Sequence, residues 1–247
     1  MVSILPVYGI PEIEPGADLP SAVLQALKLQ KLRLVSGDVI VVKQKVVSKA
    51  EGRLVRLDDV KPGPEALELA KEQQKDPRLV ELILQESVRV VRAGHGVIIT
   101  ETRQGLVCAN SGIDKSNVQP GYVTLLPIDS DRSARLIRRK LELRTKVKLA
   151  VVITDTFGRP WRKGQTDAAI GCSGIAALNS YRGKRDKYGY HLRVTEPSVV
   201  DEIAAAAELV TGKLSDVPVA LVRGVNYRRG EDGVRSMLME REKDLFR

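Results

Sequence analysis

The sequence predicts an α+β protein in which helices cover mixed or antiparallel sheets, and three observations carry that reading. Short apolar, β-branched runs recur at 39–42, 149–153 and 217–222 with polar residues at their ends, the pattern of buried strands. Between them lie longer stretches whose apolar residues fall at helical spacing behind Pro, Ser or Asp start signals. Two further strand-like runs, Val88–Val91 and Val97–Thr100, are joined across the turn Ala93-Gly-His-Gly96.

In chain order, Ile4 to Asp18 is rich in Pro and Gly and reads as a short strand and a turn carrying Glu12 and Glu14. Pro20 and Ser21 start a helix through Val23, Leu24, Leu27 and Leu34. Gly37 turns the chain into a strand ending at Lys43, and Lys45 and Lys49 follow just past that strand end, where a cation can reach into a cleft. Pro64 opens a helix through Leu67, Leu69 and Ala70, and Pro77 separates it from another holding Leu79, Leu82, Ile83 and Leu84. After the hairpin, in which His95 reads as a turn residue, Leu106–Asn110 is strand-like and runs into a loop closed by Pro120-Gly121. Tyr122–Leu126 reads as a strand, and Asp129 to Asp131 cap a helix running to about Leu143. The run at 149–153 is expected to leave Asp155 at a strand end, followed by a loop punctuated by Gly158 and Pro160. Ile170–Leu178 alternates small and apolar residues, and 182–193 forms a charged connection. A helix beginning near Glu196 and Pro197 stops at Gly212, a strand covers 217–222, Arg223-Gly224 turns the chain, and a charged terminal helix is expected.

The chain's 247 residues suffice for one large domain or two small ones without staples. Neither a linker nor an internal repeat is visible, so 1–247 reads as a single domain, with two subdomains as the alternative. Forty Lys plus Arg against 31 Asp plus Glu give a formal charge of +9, spread along the chain, which favours anionic partners: nucleotides, phosphorylated metabolites or nucleic acid. The two cysteines, Cys108 and Cys172, form no paired motif and read as small buried residues of a reduced compartment. With no leader-like start and no apolar run near the ~20 residues a membrane span needs, a cytoplasmic location without membrane partners is expected.

Two loops carry chemistry. In the first, Asp155 is followed by Arg159, Arg162 and Lys163 and then by Asp167, a juxtaposition that suits a metal-bound phosphate or, more blandly, a solvated turn of opposite charges. In the second, Asp114 and Asn117 are three apart and offer a hard oxygen ligand and an amide, although both are also ordinary turn formers. The helix after Asp131 has Arg132, Arg135 and Arg139 on one face, which suits nucleic acid or a solvated surface, but no aromatic residues interleave with the charges. Gly158 to Gly164 has neither the spacing nor the lysine of a phosphate-binding P-loop. His95 and His191 sit near no nucleophile motif, and no His or Cys cluster fits zinc. What remains is oxygen ligands with Lys and Arg, the equipment of divalent-metal phosphoryl transfer.

Four strings in order, Val46-Val-Ser-Lys-Ala-Glu-Gly52, Ala109-Asn-Ser-Gly-Ile-Asp-Lys-Ser-Asn117, Thr154-Asp-Thr-Phe-Gly-Arg-Pro-Trp-Arg162 and Val217-Pro-Val-Ala-Leu-Val-Arg-Gly224, resemble the coenzyme F-420-0:gamma-glutamyl ligase family over nearly the whole chain. The resemblance implies a GTP-dependent amide ligase that adds L-glutamate to the deazaflavin coenzyme F-420 precursor, and a second glutamate by a gamma linkage. It also implies two divalent cations, magnesium or manganese, with potassium as an optional further ion, and an intertwined homodimer of the family's own α+β fold. By the same resemblance Asp114 and Asp155 are metal ligands and Thr156 a ligand of the second metal. Asn117 becomes a nucleotide contact, Gln44, Lys45 and Lys49 grip phosphates or ribose, and Pro11, Glu12, Ile13 and Glu14 hold the nucleotide near its base. Val210, Thr211, Gly212, Lys213 and Leu214 resemble a nucleotide-binding turn, although Lys213 cannot ligate a cation through its side chain.

The chemistry agrees with that assignment. A carboxylate acceptor is already ionised at neutral pH and attacks a γ-phosphate without a general base. It needs charge repulsion suppressed, by the cations and by Lys49 with Arg159, Arg162 or Lys163 nearby. The glutamate amine then displaces phosphate, with Asp167 as a candidate base. A metal-dependent nucleotide hydrolase or phosphotransferase would share these contacts, and the net charge alone also suits a basic nucleic-acid-binding protein.

Overall fold

The computed structural model describes residues 1–246. Its main sheet has five strands, β1 (Ser3–Pro6), β2 (Val39–Lys43), β8 (Ala150–Arg159), β9 (Arg162–Ser173) and β10 (Val219–Arg223), in the order β1-β10-β2-β8-β9. Only β2 and β8 run parallel; every other pair is antiparallel, so the sheet is mixed. Val39 to Val42, Ala150 to Thr154 and Val219 to Val222 are buried at every position. A strand apolar and buried at both odd and even positions is covered on both faces, which is why these runs do not alternate. The cover comes from α1 (Leu19–Leu29), α5 (Ser130–Thr145) and α6 (Val199–Thr211), whose apolar residues join the same hydrophobic cluster.

A second cluster forms around α3 (Pro64–Gln73) and α4 (Pro77–Gln85), with Ile83, Ile98 and Val123 at its centre. Here β4 (Ser87–Gly94), β5 (Val97–Thr102) and β6 (Val107–Ala109) make an antiparallel sheet, while β3 (Leu54–Arg56) pairs with β7 (Tyr122–Thr124). His95 takes φ +51° in the β4–β5 turn, as its sequence setting suggests.

Most helix ends follow the sequence signals. Asp129 caps α5 by accepting from the Arg132 amide at 2.9 Å, Ser198 caps α6, and Gly212 ends it. The first helix ends at Leu29, short of the expected Leu34. Lys31 enters the left-handed region at φ +58°, and the Leu32 amide donates back to the Leu27 carbonyl at 2.9 Å, satisfying a helix-end acceptor.

Lys45 and Lys49 do lie just past the strand end at Lys43, on a helix, α2 (Gln44–Ala50), that the sequence pattern leaves unassigned. Two expectations need correction. The expected loop after Asp155 is instead a long hairpin: Thr154, Asp155, Thr156 and Phe157 pair with Ala169, Ala168, Asp167 and Thr166, and only Pro160 and Trp161 turn the tip. Trp161 adopts φ +57° there, so the Gly-Arg-Pro-Trp punctuation marks a tight turn rather than a loop. The charged terminal helix is absent among the described residues; short 3-10 turns at Val234–Met237 and Arg241–Lys243 replace it. Asp131 holds the first of them by accepting from the Val234 amide at 2.8 Å while also accepting from the Cys172 amide at 2.8 Å. Cys108 and Cys172 are free and buried.

Candidate active site

At the carboxyl ends of the parallel pair β2 and β8, where Lys43 faces Thr154, the wall opens into a cleft of about 440 Å³. Open sheets commonly bind ligands at such strand ends. Four stretches far apart in sequence form it: Ile10 to Ile13, Lys43 to Lys49, Asp114 to Asn117 and Thr154 to Thr156, closed by Thr211 to Lys213 and Asp216 to Pro218. Its volume lies within the range of small-molecule sites.

The side chains are held by a few exchanges of charge. Because α2 begins at Gln44, Lys45 and Lys49 are four apart on one helical face and both reach the opposite wall. Lys45 donates to Ser116 Oγ at 2.6 Å and lies 2.7 Å from Asp114 Oδ2. Lys49 donates to Glu12 Oε1 at 2.5 Å and to the Asn117 carbonyl at 3.0 Å. Asp114 also accepts from the Ser116 amide at 2.7 Å. Burial opposes its ionisation, but the hydrogen bonds from Lys45 and Ser116 together outweigh that and hold its carboxyl below the usual range.

Asp155 is the opposite case. Burial, with the like charges of Asp114 and Asp167 nearby, pushes its carboxyl up to about 7 against a lowering contribution from the Thr156 amide and from Lys213. It forms no ion pair among the described residues. Beneath it, Asp167 is 1% exposed and accepts from Thr156 Oγ1 at 2.7 Å, from Thr154 Oγ1 at 3.1 Å and from the Lys43 ammonium. Its amide donates to Glu208 Oε2 at 3.1 Å. So fully engaged, Asp167 is part of the floor and does not face the cleft as a base for an amine.

Of the residues singled out from the sequence, Pro11, Glu12, Ile13, Gln44, Lys45, Lys49, Asp114, Asn117, Asp155, Thr156, Thr211, Gly212 and Lys213 come together here. Gln44 is buried and its amide is committed to Ser48 Oγ at 2.7 Å and the Leu125 carbonyl at 3.1 Å. Glu14 is exposed outside the cleft lining, Val210 packs into the main core, and Leu214 is solvent-exposed. Arg159 stands at the hairpin tip, four residues beyond Asp155 along β8, with its guanidinium on the Lys163 carbonyl at 3.1 Å; Arg162 and Lys163 share that exposed tip. Four residues of extended chain span roughly 13 Å, which separates the tip from the cleft. Sequence reasoning passed over Lys43, Ser116 and Asp216, which also line the cleft. Lys43 was legible as the charged end of an otherwise apolar strand.

Of the basic face expected on α5, Arg132 and Arg139 are exposed and Arg135 lies 3.8 Å from Glu231; beside that face, Arg138 pairs with Glu142 at 3.1 Å and Glu231 at 2.6 Å, and Arg144 with Asp18 at 2.5 Å.

The donor set suits a hard cation. Asp114 and Asp155 offer carboxylate oxygens, and the charge crowding on Asp155 is the kind that a bound cation relieves. No group of three or more His, Cys, Asp or Glu side chains forms a cage among the described residues, so such an ion would complete its shell with phosphate oxygens and water.

At the ends of its parallel strands the mixed sheet gathers lysines and two carboxylates in unequal environments, the kind of constellation found in enzyme active sites. Residues 9–224 match the model of the F420-0:gamma-glutamyl ligase family. The chain is 45% identical to the coenzyme F420:L-glutamate ligase of Methanothermobacter thermautotrophicus, over 100% of this chain and 99% of that protein. It is 44% identical to the enzyme of the same name from Methanopyrus kandleri, over 96% and 94%, and 42% identical to that of Methanocaldococcus jannaschii, over 85% of each. The chain belongs to the F420-0:gamma-glutamyl ligase family and is a ligase.

Proposed function

We propose that the protein joins L-glutamate to the coenzyme F420 precursor at the expense of GTP, and that the cleft between α2 and the β8–β9 hairpin is where it does so. The convergence of Lys45, Lys49 and Lys213 on Asp114 and Asp155 in one cleft is the observation that supports the reading. The lysines take phosphate oxygens: Lys45 and Lys49 exchange Asp114 and Glu12 for the nucleotide's phosphates. Pro11 to Ile13 and Asn117 line the same cleft and bind the nucleoside part. A Mg²⁺ or Mn²⁺ ion held by Asp114 and Asp155 supplies charge neutralisation on the transferring phosphate.

The precursor's carboxylate oxygen bonds to the γ-phosphorus as the bond to the β-phosphate oxygen breaks, releasing GDP. The amine of glutamate then bonds to the acyl carbon and phosphate departs with the former carboxylate oxygen. A second round on the newly added γ-carboxylate gives a gamma linkage. Throughout, Asp167 fixes the Thr156 hydroxyl and the Lys43 ammonium from below.

The test is phosphate release from GTP with Mg²⁺ or Mn²⁺, run with and without L-glutamate plus the precursor, with product masses measured. Phosphate release that needs both substrates, and a product heavier by one glutamyl residue, is expected. Equal turnover of GTP without them would overturn the ligase assignment for this cleft and leave a nucleotide hydrolase.

A further inference from the structure

Asp114 and Asp155 fit one hard cation, but the place beside Thr156, where the resemblance puts a second, does not fit one, because a side chain of the chain itself is already there. Lys213 follows the C-terminal end of α6, where the free carbonyls favour positive charge. Gly212 leaves the helix at φ +55°, and Lys213 enters the cleft wall. Its ammonium donates to Thr156 Oγ1 and lies 3.8 Å from Glu208 Oε1. Thr156 gives its own proton to Asp167 Oδ1 at 2.7 Å, so toward the cleft its hydroxyl offers only lone pairs. That is the presentation a cation requires, and the cation present is the lysine. A divalent ion ligated by Thr156 at about 2.0–2.2 Å would stand where the ammonium stands and would repel it.

We propose that Lys213 is a tethered cation that takes the place of a second metal ion, so that this chain binds one divalent ion, at Asp114 and Asp155, and meets the remaining phosphate charge with its own ammonium. The inference rests on the nucleotide and metal reading above. Lys213 thereby becomes a direct phosphate contact whose occupancy does not vary with metal concentration.

The test counts metal ions rather than turnover. Protein loaded with Mn²⁺ and a non-hydrolysable GTP analogue is examined by native mass spectrometry for ions per chain. Electron paramagnetic resonance then separates an isolated Mn²⁺, with its six-line signal, from a spin-coupled pair. The wild type and Lys213→Arg are expected to bind one Mn²⁺ per chain with the isolated signal. Lys213→Gln, which offers a neutral oxygen in the same place, is expected to bind two and show the coupled signal. Lys213 is exposed, and an unchanged melting temperature confirms that its variants fold. Two ions in the wild type, or one in both wild type and Lys213→Gln, would overturn the inference while leaving the Asp114–Asp155 site intact. No Mn²⁺ in the wild type would remove that site, and the inference with it.

Discussion

Replacing Asp167 by Asn keeps the shape of the cleft floor and removes its charge. The carboxylate is 1% exposed and its partner Lys43 is 18% exposed. Removing one member of a buried pair costs about 3–5 kcal/mol, because the other charge is left uncompensated. The Lys43 ammonium can turn toward the cleft and water, which lowers that part to about 2 kcal/mol. The new amide nitrogen only donates, so it accepts from neither threonine, and one of the two hydroxyl hydrogen bonds is lost at a cost of about 1 kcal/mol. The total, about 3 kcal/mol, corresponds to a fall in Tm of about 6–12 °C at ~2–4 °C per kcal/mol for a chain of this size. Calorimetry or circular dichroism of the metal-free protein measures it. The double replacement Lys43→Met with Asp167→Leu is expected to recover most of the loss, since apolar side chains of similar volume substitute well for buried pairs. A fall below about 2 °C for Asp167→Asn, or a double variant no more stable than the single one, would refute the account of this floor.

Asp155→Asn is expected to lower turnover by at least about 100-fold while the metal-free protein melts no lower than the wild type, because the charge removed is one that burial and two neighbouring carboxylates disfavour. The same shift sets a pH dependence. Asp155 keeps its proton up to about pH 7 when folded, whereas the unfolded chain loses it near pH ~4, so its stabilising contribution is present at low pH and lost as pH rises between these values. Melting curves of metal-free wild type and Asp155→Asn should therefore diverge across that window, with the wild type losing ground as pH rises; parallel curves would contradict the shift. Lys49→Met is expected to raise KM for GTP about tenfold or more, about 1.4 kcal/mol of lost phosphate binding, with Tm unchanged. Gly171→Ala places a Cβ 2.4 Å from the backbone carbonyl of Ser130, forcing α5 away from β9, and should yield insoluble protein or a Tm lower by more than about 10 °C.

Elements whose signals are local were legible in the sequence. The apolar runs at 39–42 and 217–222 became central strands, the second beginning at Val219, and Asp129, Pro64, Pro77 and Gly212 mark helix ends where their chemistry places them. The β8–β9 hairpin was not legible, because its pairing is a tertiary matter while Gly158, Pro160 and Trp161 carry ordinary loop signals. The terminal segment's charge pattern suggests a helix, but Asp131, about 100 positions earlier, holds the backbone at Val234 in another conformation. In the cleft, the four-residue spacing of Lys45 and Lys49 could be read directly once α2 was known to be helical. The pairing of Lys43 with Asp167, 124 positions apart, and the approach of Lys213 to Thr156, 57 apart, have no local signature at all.

The central claim is that the precursor's carboxylate is phosphorylated and then captured by glutamate. Precursor carrying ¹⁸O in that carboxylate, incubated with GTP, Mg²⁺ and L-glutamate, reports on it directly through the mass of the released phosphate. The account predicts one ¹⁸O transferred to phosphate for the first glutamyl bond formed on each precursor, and none for a second, whose activated carboxylate comes from the added glutamate. Mono-glutamylated product formed with release of phosphate that carries no ¹⁸O would contradict it.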